Sequence, residues 1–133
     1  MYYTGSDIIY LGRHLKDYYK EDYYSIGFDF GTGKINGFVN GKKKGEHWKT
    51  YHIKTPFRKT YANTLMSINK DIYFIEFNET SKFFNKKSKH LLIGGGGYQP
   101  KPLYKILVNK IYAEAYDGLI FVKKISVPNY NLN

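Results

Sequence analysis

Between Asp22 and Gly33 the chain reads DYYSIGFDFGTG, with apolar residues alternating at Tyr24, Ile26, Phe28 and Phe30 before Gly31 and Gly33. Period-two alternation of aromatic and β-branched residues is a strand pattern with these residues expected to be buried, and glycines at its end predict a tight turn. Just upstream, Asp7–Lys20 carries Ile8, Leu11, Leu15, Tyr18 and Tyr19 at helical spacing, with Ser6 or Asp7 as a cap and Lys20 at the negative end of the helix dipole. Near the C-terminus YDGLIFVKK is a second strand-like run. Helix, strand and Gly-Thr-Gly in succession predict an α/β unit whose ligand-binding edge lies at the C-terminal end of the strand.

The remaining chain fits around that unit. Lys34–Asn40 and His47–Lys54 face one another across GKKK and predict a small β-hairpin, with Trp48 and Tyr51 as packing residues and Pro56 as its stop. Thr60 stands where a helix N-cap belongs, ahead of an apolar stripe of Tyr61, Leu65 and Ile68 running to Asn69. Asp71–Phe77 (DIYFIEF) is a short, nearly continuous apolar run, which predicts a strand buried on both faces. Leu103–Lys110 reads as a short helix after the glycine run Gly94–Gly97, and Gly118–Lys124 as the last strand. The predicted fold is α/β, a partial mixed or parallel sheet with flanking helices plus a small β-hairpin. With 133 residues, no linker and no internal repeat, residues 1–133 form one domain.

Composition narrows the chemistry. The chain has no cysteine, which excludes a disulfide framework, a thiolate metal site and a cysteine nucleophile together. MYYTGSDIIY has neither a basic n-region nor a long apolar core, and no apolar run approaches the roughly 18 residues a bilayer span needs. No membrane association is expected, and the expected location is cytoplasmic. The net charge of +10 invites a nucleic-acid reading, yet Lys42–Lys44, Lys86, Lys87, Lys89, Lys123 and Lys124 fall at a hairpin tip, a polar connection and a strand end. Those are positions of solvated turns and edge protection, so nucleic acid is not the expected partner. Two other binding readings stay open: a polyanion module using these lysines and the tyrosines, and a carbohydrate module using Trp48 as a platform.

Candidate chemistry reduces to a few side chains. His14 sits beside Arg13 and Lys16 on the helix and reads as a surface residue. His47 and His52, five apart on a strand, point to opposite faces, and His90 follows a lysine run and reads as solvated. No metal site and no cofactor are expected. Asp29 near the end of the first strand, Thr32 within Gly-Thr-Gly and Glu76 near the end of DIYFIEF are the substrate-cleft candidates. If the two strands are parallel neighbours, both carboxylates approach one crevice, where desolvation would raise their pKa; the alternative is structural pairing with Arg13, Arg58 or a lysine. GTGKING and GGGGYQP lack the spacing of phosphate loops, and no serine has a Gly-x-Ser-x-Gly setting.

LGRHLKDYYKEDYYSIGFDFGTGKING resembles the C-terminal region of the erythromycin esterase family. TPFRKTYANTL, DIYFIEF, and LLIGGGGYQP followed by YDGLIFVKKISVP resemble later family segments in the same order, with Thr60 in place of a serine and Glu76-Phe77 in place of Asp-Leu. The resemblance implies esterase ancestry, in which complete members open a lactone or ester with water activated by a histidine base. Family members are several times longer, and their proposed catalytic histidine, glutamates and arginine lie in N-terminal motifs that this sequence does not contain. His14 does not match them, so no catalytic residue is carried over. The expectation is a C-terminal part, a truncated product or one half of a split enzyme, with little or no activity alone. Its expected partners are a separately encoded N-terminal esterase part or, through exposed apolar surface, a second copy.

Overall fold

The computed structural model describes residues 11–38, 48–78, 82–91 and 107–127. In chain order the elements are α1 (Leu11–Tyr19), a 3-10 turn (Lys20–Asp22), β1 (Ile26–Phe38), β2 (Trp48–Ile53), α2 (Tyr61–Leu65), β3 (Ile72–Glu76), β4 (Ser88–Leu91), β5 (Leu107–Lys110), α3 (Tyr112–Ala115) and β6 (Gly118–Ile125). Four strands form a sheet in the order β2-β1-β6-β3, and β4 and β5 form a separate antiparallel pair. β1 and β6 are parallel, whereas β2 and β3 run antiparallel to their neighbours. The fold is α/β with a mixed sheet, as the sequence predicts.

The Gly-Thr-Gly segment corrects one expectation. It does not turn; β1 continues through it for 13 residues. The first part of β1 pairs with β6 and the second with β2, and Gly33 is the handover, opposite both Ile53 and Ile125. Its φ of 132° and the 2.0 Å from a hypothetical Cβ to the Ile125 carbonyl oxygen show why glycine stands there. The hairpin is present as the β1–β2 pairing from Gly33↔Ile53 to Phe38↔Trp48. Its tip, the glycine run at 94–97 and the start of the first helix lie outside the described residues, as does the Trp48 side chain.

Three further elements differ from expectation. The stripe after Thr60 gives a helix that ends at Leu65; Ile68, beyond it, is 40% exposed. Lys110 ends a strand rather than a helix, because β4 offers residues 107–110 a pairing edge from Ser88↔Lys110 to Leu91↔Leu107. DIYFIEF is an edge strand with one face open, not a strand buried on both sides.

The two faces of the sheet are unlike. On the inner face Leu119 and Phe121 are fully buried against Tyr61, Ala62, Leu65, Phe84 and Tyr112, forming the core, and Tyr73 and Ile75 pack on it. Tyr61 and Tyr112 stack with ring centroids 4.1 Å apart, and Phe77 stacks on Phe84 at 4.4 Å. Burying each such side chain contributes about 1.5–3 kcal/mol. On the outer face register places Phe28, Ile120 and Phe74 in one row and Phe30, Val122 and Ile72 in the next. Phe28, Phe74 and Ile72 are 57%, 51% and 65% exposed, so the alternating apolar residues of the first strand, expected to be buried, line the open face, and the buried positions are the intervening Gly27, Asp29 and Gly31. α1 buries none of its residues and is tethered by Lys16, whose Nζ lies 3.6 Å from Asp117 Oδ1.

Candidate functional site

In the first part of β1, beside β6, the inner positions are Gly27, Asp29 and Gly31, so the only side chain that part of the strand sends inward is a carboxylate. The flanking glycines make room for neighbours. A Cβ on Gly27 would lie 2.6 Å from the Tyr116 ring, and one on Gly31 would lie 2.1 Å from Met66 Sδ. Asp29 is 6% exposed and lines a small, open cleft with Phe30, Gly31, Ile53, Pro56, Phe57, Thr60, Ala62 and His90. Apolar walls around a few convergent polar groups are the usual character of a ligand site.

A hydrogen-bonded chain leads from the carboxylate to the cleft. The Phe30 backbone N–H donates to Asp29 Oδ1 at 2.8 Å. The Tyr112 hydroxyl donates to Asp29 Oδ2 at 2.6 Å, and His90 Nδ1 lies 2.5 Å from the same hydroxyl. His90 Nδ1 is 3.9 Å from Asp29 Oδ2. Lys110, on β5, donates from Nζ to the Tyr116 hydroxyl at 2.9 Å and sits 4.6 Å from the centre of that ring.

Burial sets the charges of this group. Desolvation raises the Asp29 carboxyl to about 6, against the opposing hydrogen bonds from Tyr112 and the Phe30 amide and the charge of Lys110. Desolvation and the Lys110 charge lower His90 to about 4, leaving the imidazole neutral at neutral pH. Desolvation lowers Lys110 to about 8, with Asp29 acting in the other direction. Burial and the adjacent Asp29 charge push the Tyr112 hydroxyl well above the usual phenol range.

The three residues expected at the cleft are not brought together. Asp29 lines it. Thr32 points from the other side of β1 and donates to the Lys123 carbonyl at 3.1 Å, tying β1 to β6. Glu76 is opposite Gly118, which in turn is opposite Ile26, at the start of β1 rather than its end. β3 is separated from β1 by β6 and runs antiparallel to it, so the parallel-neighbour arrangement of the two carboxylates does not occur. Glu76 is exposed, with the Tyr24 hydroxyl 3.4 Å from Oε1.

His90 corrects the reading of that residue as solvated: its side chain is 16% exposed and faces the cleft from β4. Lys86 and Lys87 precede the strand, which begins at Ser88 and includes Lys89. A histidine followed by the apolar Leu-Leu-Ile was the available signal. Tyr112 and Lys110 gave none, because their neighbours in space are far away in sequence. Among the described residues no three His, Asp or Glu side chains are grouped to hold a metal ion, and no helix is long and apolar enough to cross a membrane.

A family model described as Erythromycin esterase matches residues 1–125 of the 133-residue chain. Two solved structures share the fold. One is a Bacillus cereus protein, 24% identical with a TM-score of 0.67, the match covering 86% of this chain and 28% of that one. The other, titled a succinoglycan biosynthesis protein, is 19% identical with a TM-score of 0.67, covering 86% of this chain and 27% of that one. This chain thus spans little more than a quarter of either structure. No curated protein matches it. With the family match running through every described element, the chain belongs to the erythromycin esterase family.

Proposed function

We propose that this chain forms one wall of an ester-binding cleft and hydrolyses a macrolide lactone or related ester only in company with the rest of the family's fold. The observation that carries this reading is the outer face of the sheet. A parallel β1–β6 pair is ordinarily covered on both faces, yet the row Phe28–Ile120–Phe74 is open on one. The solved structures have almost three-quarters of their length beyond the matched region, which is ample to supply the missing layer. A separately encoded N-terminal part would serve as well as a continuous chain.

The small cleft beside Asp29 suits a polar group carried by a larger, largely apolar ligand, because its walls are Ile53, Pro56, Phe57 and Ala62 and its polar lining includes Thr60, Asp29 and His90. Hydrolysis of a macrolide lactone by the purified chain is the test. Little or no turnover is expected from the chain alone. Turnover by the chain alone that is lost in an Asp29→Ala, Glu76→Ala double variant would overturn the proposal.

A further inference from the structure

We propose that the Asp29–Tyr112–His90 chain locks His90 with its proton on Nδ1, so that Nε2 takes a hydrogen bond from a hydroxyl of a neutral, largely apolar ligand in the cleft. The tautomer follows from counting protons. A tyrosine hydroxyl has a single proton. That of Tyr112 goes to Asp29 Oδ2, at 2.6 Å, so the 2.5 Å contact with His90 Nδ1 requires the imidazole to donate. A neutral imidazole with Nδ1 protonated carries its lone pair on Nε2. No partner for Nε2 is found among the described residues, and the ring lines the cleft.

The same geometry sets the ligand class. A neutral hydroxyl is a donor and meets an acceptor. A carboxylate has no proton to give and would approach the Asp29 charge, which lies 3.9 Å from the imidazole. Asp29 and Tyr112 are positioning residues here, and His90 is the group that meets the ligand. The ligand assignment rests on the cleft reading proposed above, whereas the tautomer does not.

Asp29→Asn separates the alternatives. The Phe30 N–H would hold the amide oxygen in the place of Oδ1, which turns the amide nitrogen toward Tyr112. The tyrosine would then accept from Asn and donate to His90 Nδ1, moving the imidazole proton to Nε2 and converting an acceptor into a donor. Nitrogen-15 NMR of the imidazoles reads this directly, with His90 assigned among the four histidines by a His90→Gln variant. The expected result is the Nδ1–H form in the unaltered chain, the Nε2–H form in Asp29→Asn, and loss of the Nδ1–H preference in Tyr112→Phe. An unaltered chain with Nε2–H or a charged ring, or an Asp29→Asn variant without the switch, would overturn the inference.

The ligand is tested with the uncharged aglycone of erythromycin and its ring-opened acid, by calorimetric titration of the same proteins. The unaltered chain is expected to bind the aglycone about tenfold more tightly than the acid, and Asp29→Asn to lose about tenfold for the aglycone, the worth of one hydrogen bond. Equal affinities in the two proteins would overturn the ligand assignment. Failure of the unaltered chain to bind the aglycone would overturn the cleft reading and the ligand assignment together, leaving the tautomer decided by its own measurement.

Discussion

Phe28 and Phe74 stand on either side of Ile120 in one row of the sheet, and both rings are more than half exposed. A side chain that contacts little costs little to replace. Phe28→Asp is expected to change folding stability by no more than about 0.5 kcal/mol, against about 3–5 kcal/mol for Phe121→Ala in the fully buried inner face. Urea denaturation measures both. The unaltered chain is also expected to self-associate with rising concentration and Phe28→Asp to stay monomeric, because contiguous apolar surface is rarely left bare. Sedimentation velocity reads that difference.

Two glycines of β1 are expected to respond to alanine in different degrees. At Gly31 the added methyl meets Met66 Sδ, the end of a flexible side chain, and the Lys123 carbonyl at 2.8 Å. At Gly33 it meets the Ile125 carbonyl oxygen at 2.0 Å, and the backbone φ of 132° is one that side chains disfavour. Gly33→Ala should therefore be the more damaging, by about 1 kcal/mol or more. Equal denaturation midpoints for the two variants would contradict the account of Gly33 as the handover between β6 and β2.

Removing the Tyr112 hydroxyl is expected to cost more than removing an ordinary buried hydroxyl. It joins Asp29 to His90, so Tyr112→Phe leaves two buried polar groups without that partner. About 2–4 kcal/mol is expected, as each orphaned group loses about 1–3 kcal/mol. Tyr61→Phe removes a hydroxyl whose single proton lies between the carbonyls of Phe84 and Lys86 and which accepts from the Tyr112 N–H at 3.4 Å; the Phe84 carbonyl keeps the Ala113 N–H, so the change should cost about 1–2 kcal/mol. Thermal denaturation of the two variants gives the comparison.

Strands with strong local signals were legible from the sequence. The alternation at Ile26, Phe28 and Phe30, the run Gly118–Lys124 and the Thr60 cap, whose side chain accepts from the Asn63 N–H, all carry local patterns that the structure uses. The turn expected at Gly31–Gly33 failed because a glycine needed for close approach to another strand looks the same as one needed for a turn. Leu107–Lys110 became a strand through pairing with β4, a partner that no local pattern announces. The site divides in the same way. Asp29 was visible as a charge in an apolar strand, but Tyr112 and His90 reach it from residues 83 and 61 positions away, and one tyrosine among fifteen gives no signal.

The last expectation concerns pH, where Asp29 and His90 pull in opposite directions. Burial raises Asp29 from 3.8 to about 6, so between those values the folded chain holds a proton that the unfolded chain has released. That contribution to stability is lost as pH rises through this window. Burial lowers His90 from 6.5 to about 4, so between those values the unfolded chain holds the extra proton, and stability is gained as pH rises. Each amounts to about 3 kcal/mol across its window, and the two nearly cancel. Lys110, at about 8, keeps its charge throughout. The profile from these groups should be almost flat between pH 4 and 6.5 in the unaltered chain. His90→Gln should unmask the Asp29 slope, so that relative to the unaltered chain it loses stability as pH rises. Asp29→Asn should do the reverse and gain. Urea midpoints taken across this range test both, and slopes of the same sign in the two variants would show that the buried pair does not titrate as its surroundings require.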